Sequence, residues 1–457
     1  MNEPSTAAST AGAVTRLTTT SDASAQPEAA TATAGVPSLP AESEASTPHG
    51  AVGDITTYNP HLGNRLGIAD AAAVADATID GRQVHVTFTD GQCRTFASQW
   101  LRHCCWCVEC GNPADGIRFT TVASFPADIA PTLAEAVDGD LVLTWPEGHR
   151  STYGSDWLAA NAYDDVARQR RASWQPITWR AELTDCFPTV DWADASDGAA
   201  GQLDAYRLLR DYGIVRIDNL GTEPEQTEQL ANLVGPIHET TVYGRIYDVR
   251  AEPVAKLGAK TGMAQAPHID DAFYYSPPGI DIFHCLANTD VGGMSTYVDG
   301  FAIAESLQLE EPAAFEALTT LSVTHVRRHP GEINMRSRSP LIRLDEFGRP
   351  SGVRYFDRAL GPPDVSPDDI DRLYDAIRAF SDRMHSSEFT ATIRVEAGQG
   401  VLIDNHRVMH GRTAFDPASG RHIRLCHVPR DEFHGRLREL SLRHDPWSHD
   451  QYLPQGS

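Results

Sequence analysis

The chain is poor in positive charge: its 457 residues hold 38 Lys and Arg against 62 Asp and Glu, a formal net charge of −24. Nucleic acids are bound through Lys and Arg that neutralise phosphates, so no nucleic-acid partner is expected. Long apolar runs are missing too. No stretch approaches the roughly 20 apolar residues a membrane helix needs, so no membrane partner is expected either. Residues 1 to about 50 have almost no large apolar side chains and consist mainly of Ala, Ser, Thr, Pro, Gly and Glu. Such a segment cannot bury enough area to offset the entropy of ordering it. It has no charged start followed by an apolar stretch, as a secretory signal would, and Arg16 is its only basic residue, against the pattern of a transit peptide. The expectation for residues 1–55 is a disordered tail.

The remaining length suits two or three domains with buried cores. Composition is that of a globular protein, 41% hydrophobic and 22% charged. Of eight cysteines, Cys104, Cys105, Cys107 and Cys110 fall within seven residues. That crowding suits a metal site better than a disulfide framework and points to a reducing cytoplasm. Val84, Val86 and Phe88 alternate with polar residues ahead of Asp90-Gly91 and Cys93 to Phe96, which predicts a β-hairpin. Leu141, Leu143 and Trp145 alternate again, and a helix starting at Trp157-Leu158 closes this module. The Arg-rich stretch at 168–171 reads as a connector.

From Gln202 the pattern turns helical, with Leu203, Tyr206, Leu209 and Tyr212 on one face, and Gly213 to Ile217 reads as a strand. Thr222-Glu223-Pro224-Glu225 predicts a capping box opening a helix that stops at Gly235. A further helix is predicted from Ser366. Short strand-like runs at Asp281–Cys285, Ile393–Val395, Val401–Ile403 and His422–Val428 suggest a jelly-roll double sheet. The expected fold is therefore mainly β with α: a small β-rich N-terminal domain at 65–165, a connector at 166–185, a jelly-roll domain at 186–445 and a tail at 446–457.

His268-Ile269-Asp270 places an imidazole and a carboxylate two residues apart, on one face if the segment is a strand. About 140 residues later His410 follows a Gly398-Gln399-Gly400 turn, an apolar strand and Asp404-Asn405. Two His and one carboxylate on one side of a metal form the triad of non-heme Fe(II) oxygenases. The spacing alone recurs by chance, so its neighbours decide. Thr261, Gly262, Ala264 and Ala266 let the chain approach a ligand closely. Arg421, 11 residues beyond His410, is a cation that can pair with the far end of a dicarboxylate; its plainer role is a surface ion pair. Three of the clustered cysteines with His149 have the ligand types of a structural Cys3His zinc site. Composition leaves Cys104 and Cys105 as alternatives for the first ligand. Buried free thiols, or an iron–sulfur cluster completed by Cys93 or Cys104, are the other readings.

Further motifs accompany these residues: Trp100-Leu101-Arg102 ahead of Cys105-x-Cys107-x-x-Cys110, Trp145-Pro146-x-x-His149, Tyr243-Gly244-x-x-Tyr247, Pro277-Pro278-Gly279 and His284-Cys285. Later come Gly292-Gly293-x-Ser295-x-x-Val298-Asp299-Gly300-Phe301 and Asp404-Asn405-x-Arg407-x-x-His410-Gly411-Arg412. In this order, over about residues 75–440, the chain resembles the γ-butyrobetaine/trimethyllysine dioxygenase branch of the taurine dioxygenase-like Fe(II)/2-oxoglutarate oxygenases. The resemblance implies a zinc-bearing N-terminal domain and a C-terminal double-stranded β-helix. It matches His268, Asp270 and His410 to the iron ligands, and Cys105, Cys107, Cys110 and His149 to the zinc ligands. Ser295 and Arg421 fall where the family holds the distal carboxylate of 2-oxoglutarate.

The activity implied is hydroxylation of an unactivated C–H in a small polar substrate, amino-acid-, betaine- or phosphonate-like. The resemblance further implies O2 as the second co-substrate, release of succinate and CO2, and a homodimer. A complete triad favours hydroxylation over halogenation, which in related enzymes accompanies loss of the carboxylate. Desaturation or cyclisation is the alternative outcome, and a non-catalytic zinc-containing binding protein the alternative class. The family cages quaternary ammonium groups among aromatic rings. Tyr243 and Tyr247 match two cage positions, but Lys260 and His427 occupy two others. A Lys repels a trimethylammonium, so the expectation is a different substrate whose carboxylate or phosphonate meets Lys260.

Overall fold

The computed structural model describes residues 64–112, 116–250, 260–288 and 291–452. The tail expected at 1–55 lies outside the described residues. In the N-terminal part the alternating apolar run forms the strand Gln83–Phe88, paired antiparallel with Val74–Asp80 and Cys93–Ala97. Gly91, at φ 83°, turns the second hairpin, closed by the Phe88 N–H on the Gln92 carbonyl at 2.9 Å. A second antiparallel sheet joins Leu133–Val137, Asp140–Thr144 and Arg150–Tyr153. Val84, Val86, Phe96, Leu141, Leu143 and Trp157 are fully buried in one shared core. Side chains of this size contribute about 1.5–3 kcal/mol each when taken out of water.

The stretch expected as a connector is partly helical and partly buried. Asp164 caps the helix Asp165–Ala172 by accepting from the Ala167 N–H. Beyond it Trp179 and Leu183 enter the core of the next domain. That domain is a double sheet. The larger sheet orders its strands Tyr247–Arg250, His422–Val428, Ile280–Ala287, Gly400–Asp404, Ile214–Asp218 and Thr189–Asp191. The smaller orders Gln265–His268, Val408–Arg412, Ser295–Asp299 and Thr390–Ile393. Strand alternation divides the larger sheet's side chains. Ile280, Ile282, Cys426 and Val428 pack on the helices Ala199–Tyr212, Gln226–Val234 and Arg430–His444, while Cys285, Ile423 and Leu425 face the smaller sheet.

Two local expectations differ from the structure. The helix expected to open at Thr222 starts at Gln226, because the first turn is tighter and Gln226 Oε1 reaches back to the Glu223 N–H at 3.0 Å. Within the expected tail, residues 446–452 are described and are not free: Asp450 is fully buried and ion-paired to Arg207 and Arg210. Among the described residues no helix is long and apolar enough to cross a membrane.

Candidate active site and metal centres

Strand register assembles the triad. His268 ends the strand Gln265–His268 and pairs with His410, which on its other side pairs with Tyr297. The two imidazole rings lie 4.6 Å apart. Asp270 does not reach the site by strand alternation, because the strand stops at His268. A bend brings it there instead. The Ile269 N–H donates to the Tyr355 carbonyl, the Asp270 N–H to Asn405 Oδ1 at 2.8 Å, and Asp271 adopts φ 51°. Asn405 also donates to the Asp270 and Pro278 carbonyls at 3.1 and 3.0 Å. Its place in the Asp404-Asn405 motif was the only sequence signal for this positioning work.

His268 Nε2 lies 3.3 Å from Asp270 Oδ1, and His410 Nε2 lies 3.8 Å from Asp270 Oδ2. His268 Nδ1 sits 3.0 Å from the Ala266 carbonyl. A carbonyl only accepts, so Nδ1 is the donor there, and Nε2 is the ring nitrogen left facing the Asp270 carboxylate. With His410 Nε2 turned to the same carboxylate, three ligand-type atoms converge on one point. Burial drives His410 down to about 3, leaving it neutral. For Asp270, burial works upward, but the His410, His268 and His427 imidazoles outweigh it and hold the carboxyl below its usual range. Two imidazoles and one ionised carboxylate converging on one point are the ligand set a divalent metal requires. The residues fit iron.

The triad lines a cavity of about 270 Å³ that also takes in Ser295, Tyr297 and Arg421. Arg421 is only 8% exposed, and its Nε has no hydrogen-bond partner among the described residues. Burial lowers its pKa. A guanidinium buried without an acid beside it is a demand for an anion. Beside it, Arg412 donates to the Thr261 and Met263 carbonyls.

Of the four residues expected around the substrate, the cavity exposes two. Tyr243 and Tyr247 line it with rings 5.0 Å apart. Lys260 is not among the lining residues; its Nζ lies 5.2 Å from the Tyr247 ring centre. His427 is buried behind Tyr243, with ring centres 6.2 Å apart, and its Nδ1 meets Asp281 Oδ1 at 2.6 Å. Burial works against protonation of His427, but the Asp281 carboxylate prevails and raises it to about 9. The partner is set by register, since Asp281 and His427 face each other on adjacent strands. Lining residues that sequence reasoning missed include Phe273, Phe283, Phe356, Arg327 and Arg358. Phe356 stacks on His268 at 4.6 Å.

The second cluster lies in the N-terminal domain. Cys105, Cys107 and Cys110 place their sulfurs 3.4, 3.7 and 3.5 Å from His149 Nε2. A tetrahedral zinc with bonds of about 2.3 Å to sulfur and about 2.0 Å to nitrogen spaces these atoms by about 3.5 Å. The other ring nitrogen, Nδ1, meets Glu109 Oε2 at 2.9 Å, the carboxylate–histidine pairing common behind metal-bound imidazoles. Arg102 Nη1 donates to Cys110 Sγ at 3.2 Å. Burial pushes the Cys105 thiol up to about 12, a cost that a bound cation offsets. Cys104 belongs to the apolar core and Cys93 is exposed, so neither joins the group. The turn that carries His149 is closed by the Trp145 N–H on the His149 carbonyl at 2.9 Å, with Gly148 at φ 83°. The cluster fits zinc.

Known proteins resemble the chain over both regions. The sequence pattern of the taurine catabolism dioxygenase TauD, TfdA family matches residues 173–427, and that of the gamma-butyrobetaine hydroxylase-like N-terminal domain matches residues 76–159. The gamma-butyrobetaine dioxygenase of Pseudomonas sp. (strain AK-1) is 34% identical over 82% of this chain and 96% of its own. The mitochondrial trimethyllysine dioxygenase of Gallus gallus is 29% identical over 80% and 88%, and the human gamma-butyrobetaine dioxygenase 26% over 81% and 97%. The chain thus belongs to the TauD/TfdA family of Fe(II)/2-oxoglutarate-dependent dioxygenases, with a gamma-butyrobetaine hydroxylase-like N-terminal domain.

Proposed function

We propose that this dioxygenase hydroxylates an unactivated C–H of a small polar substrate, amino-acid-, betaine- or phosphonate-like, with His268, Asp270 and His410 holding the iron. The observation that carries the reading is the convergence of His268 Nε2 and His410 Nε2 on the Asp270 carboxylate in the wall of a cavity. When bound, iron with 2-oxoglutarate and O2 supplies the oxidant, and 2-oxoglutarate leaves as succinate and CO2. Arg421 and Ser295 hold the distal carboxylate of 2-oxoglutarate, the guanidinium as a fork and the hydroxyl as a single donor. Asn405 keeps Asp270 in place. Phe283 and Phe356, packed against His410 and His268, exclude water from the reacting C–H. Cys105, Cys107, Cys110 and His149 hold a structural zinc and leave no position open for chemistry.

We assign the zinc domain to residues 65–165 and the oxygenase domain to 186–445. A homodimer, testable by light scattering, and a cytoplasmic location complete the reading; all eight cysteines are unpaired, as a reducing compartment requires. The test is anaerobic addition of Fe(II) and 2-oxoglutarate, read by the visible charge-transfer band, followed by succinate release with small amino acids, betaines and phosphonates. The expected product gains one oxygen. Absence of both the band and 2-oxoglutarate-dependent O2 uptake overturns the reading. Fast, tightly coupled turnover of γ-butyrobetaine or trimethyllysine overturns the departure in substrate.

A further inference from the structure

The cavity carries the opposite charge from the protein. In a chain of net charge −24, its wall holds four guanidiniums, Arg327, Arg358, Arg412 and Arg421, and one carboxylate, Asp270. Asp270 is engaged by the two imidazoles, and Arg412 by backbone carbonyls. In the reading above, Arg421 is committed to 2-oxoglutarate. Arg327 and Arg358 remain. Arg358 is exposed and lies 5.1 Å from the Phe356 ring centre. Arg327, on the strand Ser322–His329, sits 5.7 Å from the Tyr243 ring centre and 5.4 Å from that of Phe273. Its Nη1 donates to the Tyr243 hydroxyl at 3.3 Å, and its Nε has no partner among the described residues. Asp271, a neighbouring acid, has neither carboxylate oxygen in a hydrogen bond and so does not neutralise it by contact.

We propose that Arg327 anchors an anionic group of the substrate, a carboxylate or phosphonate, beside Tyr243 and Phe273. This rests on reading the cavity as the substrate pocket and names the substrate's charge. Aromatic faces that could receive an ammonium already carry the protein's own cations: Arg327 on Tyr243 and Phe273, Lys260 on Tyr247. A guanidinium beside two rings, with Nη1 on the Tyr243 hydroxyl, keeps further N–H donors for an acceptor, and its fork suits a carboxylate or phosphonate. The ring contacts and the Tyr243 hydroxyl fix its orientation beforehand, so little entropy is lost on binding. Lys260, with its Nζ over the Tyr247 ring, is not among the residues that line the cavity.

Calorimetry decides it, with 3-aminopropylphosphonate, 4-aminobutyrate and propyltrimethylammonium as probes. Each is titrated into the full-length protein with and without Fe(II) and 2-oxoglutarate. Wild type is expected to take both anions and refuse the cation. Arg327→Gln weakens both anions at least tenfold while the iron–2-oxoglutarate absorption band is unmoved. Arg327→Lys, which keeps charge and stem, weakens 4-aminobutyrate several-fold and serves as the deciding variant if the Gln protein fails to fold. The inference is overturned if neither anion binds wild type, if the cation binds as tightly, or if the decisive variant retains wild-type anion affinity. A missing band together with Arg327-dependent anion binding refutes the iron assignment and leaves the anchor standing.

Discussion

At the residue scale, Asp270 is held by atoms its own motif does not contain. The Asp270 backbone depends on Asn405, 135 positions away, through bonds in both directions. Replacing Asn405 by Ala strands buried backbone groups, at about 1–3 kcal/mol of stability. We expect iron affinity to fall about 10- to 100-fold, as for other lost partners of metal ligands; unaltered iron retention on dialysis would remove Asn405 from this role. His268→Ala and Asp270→Ala are expected to abolish substrate-dependent succinate formation, and turnover in either variant rules out the ligand set. Arg421→Ala should chiefly raise the 2-oxoglutarate concentration needed for half-saturation, at least tenfold, because a buried guanidinium contributes most when its anion is present. His268, Asp270 and His410 were legible in sequence because metal chemistry restricts which side chains can serve. Arg327 was not, because an arginine on a solvent-facing hairpin and one lining a cavity look alike until the hairpin is placed.

At the scale of elements, the zinc cluster ties three pieces together: the loop after the helix Ser98–His103, the turn bearing Cys110 and the hairpin bend bearing His149. Each piece is too short to hold its shape alone. Stripping zinc with a strong chelator, or replacing Cys107 by Ser, is therefore expected to lower the thermal midpoint by several degrees and expose thiols to titration. A midpoint and thiol count identical to those of the untreated protein would show that the cluster holds no structural metal. The hairpin at Gln83–Ala97 and the helix Ala199–Tyr212 followed from periodicity, because one buried face dictates the pattern, whereas the strand His422–Val428, buried on both faces, carries no such period. The onset of the helix at Gln226 did not follow either, since Gln226 rather than Glu225 reaches back to a freed backbone N–H.

At the scale of the molecule, buried imidazoles away from the iron site set an acid limit. Burial lowers His325 to about 4, and burial reinforced by the Arg430 guanidinium lowers His406 to about 3. Their unfolded value is near 6.5. Between roughly pH 6.5 and these folded values, the unfolded chain binds protons that the folded chain refuses. Stability then falls with pH by up to about 1.4 kcal/mol per unit for each group. His406→Gln removes one such contribution, so urea unfolding of the variant from pH 7 to pH 4 should show a shallower loss than wild type. Equal slopes would mean that His406 is protonated or solvated in the folded state.

The sequence by itself determined the ligand types, the cofactor class, the two modules and the strands with one buried face, since each follows from local chemistry or from a two- or 3.6-residue period. Only the tertiary structure decided what surrounds the ligands. A bend held by Asn405 delivers Asp270, strand register turns His427 onto Asp281, and packing seats Arg327 between Tyr243 and Phe273. These are contacts between residues tens to more than a hundred positions apart, and no local period records them.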